Sequence, residues 1–408
     1  MNKRTDYTFK YNKGLRRHGW LRLTPAYSVK LVEDILGKNN IFNTDKFIEG
    51  EIFDPFCGTA TTGIVAAEYG LNCSLYEINP FLYWFSTVKG YNYDSSKLDN
   101  ILEKIQTDLY KENFRSCYKS WVPPMKNIER WWDKETLKSL GKIHEYIKEN
   151  FGNPTIHKDE SNLLWIAFSR LIIECSAADF GHISVSFKKV IEEHLEDDVI
   201  DLFISICKSI FLSAKTPIIG NVKIINKDAR DVNLSHKIDY VITSPPYPNR
   251  ISYIRELRPY MYWLGFLQSG EEAGNLDWSA IGGTWGSATS KLSTWNCNDW
   301  NIPQILDETV RSISNTESKN GDILAKYVLK FFYDMFLHFK NLKKNLNEGC
   351  KLFYIIGNSS FYGIMVDTEN IIIQILNDLG YKNANSRIIR KRNSKKDLFE
   401  YLITAQWN

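Results

Sequence analysis

The stretch from Ile52 to Glu77 constrains the fold of this chain more than any other. Ile52-Phe53-Asp54 reads as the end of a short buried strand, and Pro55–Thr62 as a turn containing Gly58. Gly63–Tyr69 reads as a small apolar helix, and Cys73–Glu77 as a second strand ending in an acid. Strand, glycine turn, helix, strand, acid is the opening unit of a doubly wound α/β domain. A turn that empties onto a helix N-terminus surrounds a ligand with backbone N–H groups. Glu77 falls 19 positions after Gly58, where an acid accepts both hydroxyls of a ribose. The turn is not GxGxxG and lacks the glycines that let a backbone wrap a pyrophosphate, which disfavours a dinucleotide. A ribose-bearing cofactor without a phosphate, such as S-adenosylmethionine, suits it better. The bland alternative, a turn glycine and a surface acid, does not explain the ordered succession.

The α/β pattern returns at Val222–Ile225 and at Tyr240–Thr243, and the second strand runs directly into Ser244-Pro245-Pro246-Tyr247. Consecutive prolines fix the backbone and remove donors, leaving carbonyls as bare acceptors. A base amine needs such a place, because its lone pair is delocalised into the ring and it is a poor nucleophile. Acceptors on both N–H bonds, from Ser244 Oγ and the Pro245 carbonyl, would draw the nitrogen toward tetrahedral geometry. Attack on a sulfonium methyl is then an in-line displacement aided by positioning and electrostatics. Tyr247 would stack on the base, which must be flipped out of a duplex to arrive. The alternative is a rigid turn beside a core tyrosine.

Together DPFCGTATTG and TSPPY resemble the exocyclic-amino DNA methyltransferases, and within them the cytosine-N4 branch of type II restriction–modification systems. The adenine branch more often has Asp or Asn where Ser244 stands. The resemblance extends along most of the chain: Trp20–Ser28 is similar to the segment that contacts the cofactor ahead of the first strand, and Asp228 falls where the family has an acid near the adenine amine. Ser244–Arg250 with Tyr253 and Arg255, Gly357-Asn358-Ser359, and Arg390–Glu400 are similar to its catalytic turn, late strand and C-terminal motif. The family's second turn glycine is Ala60 here, also a small residue. The resemblance implies a Rossmann-like α/β fold with S-adenosylmethionine held by Thr24, Tyr27, Asp54, Pro55, Phe56, Gly58, Thr59, Thr61, Glu77, Asp228 and Ser244. It implies catalysis by Ser244, Pro245, Pro246 and Tyr247 on double-stranded DNA, with a cognate restriction endonuclease as partner. Carbon-5 chemistry is disfavoured separately, since it uses a cysteine, usually after proline, and the chain has no Pro-Cys pair.

Between these halves, residues 95–215 read as a helical insertion, with helical spacing at Ser96–Leu109, Lys134–Lys148, Leu163–Cys175 and Asp198–Ser213. The organisation expected is 1–94 for the N-terminal segment and cofactor half, 95–215 for the insertion and 216–267 for the catalytic half. Residues 268–320 then form an irregular target-recognition region and 321–408 complete the domain. Residues 268–320 carry Trp278, Trp285, Trp295, Trp300, Asn296 and Asn298 for stacking and base-edge contacts; the insertion is the rival for that role. Trp131-Trp132 is expected in the insertion's core.

Lys plus Arg total 51 against 48 acids, so a DNA face must be a local patch. Lys382–Lys396 has seven basic residues and no acid, and Arg250, Arg390, Arg392, Lys395 and Lys396 are the expected phosphate contacts. Lys13, Arg16, Arg17 and Arg22 add a second cluster, and an exposed solvated face is the alternative for each. The seven cysteines include no CxxC pair and no histidines group near them, so neither zinc nor a disulfide framework is expected. No apolar run suits a signal peptide or membrane span, and a cytoplasmic protein is expected. Competing readings are an adenine-N6 enzyme on the same scaffold, an RNA base-amine methyltransferase, and a non-catalytic cofactor-binding or DNA-binding partner subunit.

Overall fold

The strands read at Ile52–Asp54 and Tyr240–Thr243 lie side by side at the centre of a seven-stranded sheet. The computed structural model of the chain describes residues 7–12, 14–22, 27–39, 41, 50–179, 186–249, 251–283, 291–297, 300–392 and 397–408. Lys13, Thr24, Arg250, Trp285, Asn298, Lys395 and Lys396 lie outside the described residues. In chain order the strands are β1 (Glu51–Asp54), β2 (Asn72–Tyr76), β3 (Ala178–Asp179), β4 (Ser186–Phe187), β5 (Val222–Ile225), β6 (Ile238–Thr243), β7 (Leu346–Gly357), β8 (Ser359–Phe361), β9 (Ile364–Val366), β10 (Lys382–Lys391) and β11 (Phe399–Gln406). The large sheet runs β10-β11-β7-β6-β1-β2-β5, while β3–β4 and β8–β9 are separate antiparallel pairs. The five strands from β5 to β7 pair in parallel, and β11 is antiparallel to both neighbours. From β1 the chain builds outward through β2 to β5, then returns to the other side of β1 as β6. Strand order therefore reverses between β1 and β6, and an open α/β sheet binds its ligand at the carboxyl ends of such a switch point.

Strand alternation sorts the core into two layers. Ile52, Leu75, Ile242, Phe353 and Leu402 pack on one side with α1 (Val29–Lys38) and α2 (Thr61–Glu68). Phe53, Tyr76, Val241, Leu352 and Tyr354 pack on the other with the helices Gly321–Leu342 and Thr368–Asp378. Ser28 caps α1, its hydroxyl accepting from the Lys30 N–H at 3.1 Å.

The helices expected within 95–215 form close to their expected limits: α4 (Ser95–Leu109), α6 (Lys134–Phe151), α7 (Asn162–Glu174) and α8 (Glu196–Ala214), with a short α5 at Glu112–Cys117. Asp94 and Asp133 fix two of the starts, each accepting from two backbone N–H groups. Trp131 and Trp132 are buried with Trp165, Phe168 and Trp263 in a third core, which also holds α3 (Pro80–Lys89) and α9 (Tyr253–Trp263). Among the described residues no helix is long and apolar enough to cross a membrane.

Two regions differ from expectation. Residues 268–320, read as a long loop or small irregular region, contain α10 (Gly270–Ser279) and a helix at Gln304–Ser314. Two glycines and one leucine in GEEAGNLDWS hide the period of α10, and the start is set locally by the Ser269 cap on the Glu272 N–H. Within the run read as a basic cluster, Lys382–Lys391 is edge strand β10, paired antiparallel to β11.

Candidate active site

Asp54 and Thr243 end the two central strands, and they are joined. The Thr243 hydroxyl donates to Asp54 Oδ1, which also accepts the Phe56 N–H at 3.0 Å, and Tyr27 donates to Oδ2 at 3.4 Å. The Asp54 carboxylate is fully buried, and burial raises its pKa to about 6 against those bonds. Asp54 lies beneath the cavity rather than on its wall, tying one motif turn to the other.

After Asp54 the chain turns through Gly58 at φ +52° and Ala60 at φ +57°. Both are left-handed, a conformation that costs an L residue about 1–2 kcal/mol, and Ala60 is the N-cap of α2. The turn is held from outside. Ser86 Oγ donates to the Gly58 carbonyl and Lys89 Nζ to the Thr59 carbonyl, each at 2.7 Å. Both donors project from α3, and sequence reasoning passed over them because a buried lysine at the end of an apolar helix has no local signature. Burial lowers the Lys89 pKa to about 7.

Glu77 follows β2, and its two oxygens accept the Gly58 N–H at 2.9 Å and the Asn79 N–H at 2.8 Å. Burial nevertheless lifts its pKa to about 7, because desolvation outweighs those two bonds. Asp228 is aimed by Arg230, which bonds both carboxylate oxygens and reaches Asp334 Oδ1 at 2.9 Å. The family resemblance pointed to the acid in NKDARDV but not to its guanidinium partner.

Ser244 opens the turn Ser244-Pro245-Pro246-Tyr247. Its hydroxyl donates to the Ile355 carbonyl at 3.1 Å, so the oxygen lone pairs are left to accept. Tyr247 donates to Glu400 Oε1 at 2.8 Å. The Arg390 guanidinium grips Glu400 at 2.7 and 3.1 Å, and Arg392 lies 5.3 Å from the centre of the Tyr247 ring. Arg390 and Arg392 thus stand beside Tyr247, engaged internally, whereas Lys382 and Arg387 of β10 are exposed.

The two motif turns share one cavity of about 700 Å³, lined by Tyr27, Pro55, Phe56, Gly58, Thr59, Thr61, Glu77, Asp228, Ser244, Pro245, Pro246, Tyr247, Arg390 and Arg392. Two sets of residues picked 170 positions apart in the chain, around Glu77 and Tyr247 (247 less 77), therefore share a wall. The volume is of the size that takes a large organic ligand. Ser279, Ala280 and Ile281 also line it, and Gly282 sits so close to Pro246 that a side chain there would come within 3.2 Å of its Cβ. Among the described residues, no lining residue comes from 95–215.

Of the expected recognition residues, Trp300 stacks on Phe336 at 5.1 Å and Trp278 lies under Lys330 at 4.9 Å, both packed against the helix Gly321–Leu342. Arg17, read as a surface cation, is buried and donates to the carbonyls of Lys89, Tyr91, Ala214 and Thr216. It fastens the N-terminal segment to the ends of α3 and α8. His18 beside it is buried and has its pKa lowered to about 4.

The sheet order, the reversed β11 and a cavity over the switch point define a Rossmann-like S-adenosylmethionine-dependent methyltransferase fold, and S-adenosylmethionine is the methyl donor. The residues fit it: Glu77 and Asp228 would take its ribose and adenine amine, beside a glycine turn and the half-buried ring of Phe56. The chain is a methyltransferase similar over most of its length to type II methyltransferases. It is 22% identical over 443 aligned positions to Type II methyltransferase M.BsoBI of Geobacillus stearothermophilus, covering 97% of this chain and 84% of that protein. It is 24% identical over 356 positions to M.MvaI of Kocuria varians, covering 80% and 74%. With M.AvaI of a Nostoc strain the identity is 22% over 406 positions, covering 92% and 81%. No family model matches the chain. Among solved structures, the rRNA methyltransferase aviRa from Streptomyces viridochromogenes aligns with 94% of this chain and 86% of its own at 10% identity and a TM-score of 0.31, too slight a likeness to carry an argument.

Proposed function

We propose that this methyltransferase acts on duplex DNA as the modification enzyme of a restriction–modification system, moving a methyl group to the N4 amine of a flipped cytosine. The observation that carries the reading is that Ser244 lines the cavity while its hydroxyl donates to the Ile355 carbonyl, which leaves the oxygen as an acceptor. Beside it the Pro245 carbonyl has no competing N–H on the following residue, since that residue is Pro246. Two acceptors in one place suit an amine with two N–H bonds. S-adenosylmethionine supplies an electrophilic sulfonium methyl at the same cavity. Ser244 and Pro245 orient the amine lone pair toward that methyl, and the ring of Tyr247, held at its hydroxyl by Glu400, gives the base a flat surface. The amine would take the methyl from the bound cofactor and release one proton to solvent.

Glu77 and Asp228 hold the cofactor under this reading, and residues 268–320 border the cavity through Ser279–Ile281. That border favours 268–320 over the helical insertion as the segment that reads the target. The division of labour is tested by paired variants. Ser244→Ala lowers turnover roughly 100-fold while cofactor affinity stays, the scale seen when one preorganised polar group is removed. Glu77→Ala weakens cofactor affinity roughly 10-fold or more. Equal loss of cofactor affinity in both variants would contradict these roles.

A further inference from the structure

The base end of the cavity has a wall for which methyl transfer gives no task. Ser359, at the start of β8, is 4% exposed and lines the cavity, yet its hydroxyl has no hydrogen-bond partner among the described residues. A buried hydroxyl without a partner is costly and marks a group that a ligand completes. One residue back, the Asn358 carbonyl accepts from Arg392, whose Nε also donates to the Phe399 carbonyl at 3.2 Å. A guanidinium has five N–H donors, so these two bonds leave others for a ligand. Arg392 lines the cavity too, against the ring of Tyr247.

Gly357 makes this closeness geometrically feasible. A side chain there would come within 2.7 Å of Arg392 Cζ and 2.9 Å of Tyr247 Cδ2. Ser244 bonds the same strand at Ile355. Acceptors suited to an amine and donors suited to a ring edge therefore meet at the end of β7.

We propose that Arg392 and Ser359 read the ring edge of the flipped cytosine, donating to N3 and O2 while Ser244 and Pro245 hold the N4 amine. The proposal rests on the cytosine-N4 reading and deepens it. Next to its amine, cytosine presents two acceptors in succession, N3 and O2. Adenine presents N1 and then a C–H, so a wall of two donors loses a partner against it. A site built to hydrogen-bond a base rejects one that leaves its buried donors unpaired. This assigns base choice to the end of the chain as well as to Ser244.

The test begins with wild-type enzyme on mixed-sequence duplex DNA. A product other than N4-methylcytosine overturns the parent reading before any variant is made, which separates that failure from a failure of Arg392. Duplexes of the methylated sequence are then compared with duplexes carrying 3-deazacytosine at the target, which keeps the amine and lacks N3. For the wild type, kcat/KM falls roughly tenfold or more on the analogue, the scale of a good base-edge contact. Arg392→Met shows a similar fall on cytosine, little further fall on the analogue, and unchanged affinity for S-adenosylmethionine; Arg392→Lys restores part of the loss, and Ser359→Ala lowers kcat/KM on cytosine with the cofactor still bound. Equal treatment of both bases by the wild type would overturn the proposal. So would losses from Arg392→Met and the analogue that multiply, or cofactor affinity that falls with Arg392→Met.

Discussion

Glu77 carries a pH dependence that can be signed. Burial holds its carboxyl half-protonated at about pH 7, well above the usual carboxylate range, in the cofactor-free chain. Only the ionised form accepts two ribose hydroxyls while keeping the Gly58 and Asn79 N–H bonds. Because the folded pKa is raised, the group stabilises the free protein below its ordinary range, and that contribution is lost as pH rises through about 7. Cofactor binding has the opposite sign. Affinity for S-adenosylmethionine should fall up to about tenfold per unit below pH 7 and level off above it. Calorimetric titration from pH 5.5 to 8.5 measures this, and Glu77→Gln should flatten the profile; an unchanged profile in that variant would assign the titration elsewhere. The acid itself was legible from strand order and spacing. Its pKa was not, since burial depends on α3 and the turn closing over it. Ser244 and Tyr247 were equally legible as a motif, but the partners that tune them, Ile355 and Glu400, lie 111 and 153 positions away.

At the scale of elements, the cofactor turn is shaped by α3 as much as by its own glycine. Ser86 and Lys89 hold two successive carbonyls of a turn that contains two left-handed residues. Lys89→Met should leave the Thr59 carbonyl unpaired and raise the dissociation constant for S-adenosylmethionine roughly tenfold, with little change in KM for DNA. A loss confined to the DNA side would show that α3 does not govern the turn. The amphipathic helices and the central strands could be read from periodicity because one residue pattern decides them. β10 could not. Its residues Lys382–Lys391 alternate only weakly between buried and exposed, and their charge dominated the reading until pairing with β11 made them a strand. For α10, a single capping serine decides what a glycine-containing sequence conceals.

For the molecule as a whole, the weak net charge of +3 leaves DNA attraction to local patches. Arg390 and Arg392 face the cavity, so the exposed basic residues of β10, Lys382 and Arg387, are the phosphate contacts expected from this edge. Reversing both to Glu should reduce the slope of log K against log salt by roughly 1–2, since each lost phosphate contact is worth about 0.9. A slope unchanged by the double reversal would move the DNA footprint to another face. The sheet was legible in outline because β1, β2 and β6 each end in a motif. The 268–320 segment, where residues from α10 reach the cavity, was legible only as a composition shift, since its packing against Pro246 and the helix Gly321–Leu342 is a tertiary matter.

The central claim is methyl transfer to cytosine N4, and product identification tests it most directly. Mixed-sequence duplex DNA is incubated with labelled S-adenosylmethionine and the protein, digested to nucleosides and resolved by mass spectrometry. The expected result is label in N4-methylcytosine, lowered roughly 100-fold by Ser244→Ala. Label in N6-methyladenine, or no labelled DNA base from protein that binds the cofactor, would contradict it.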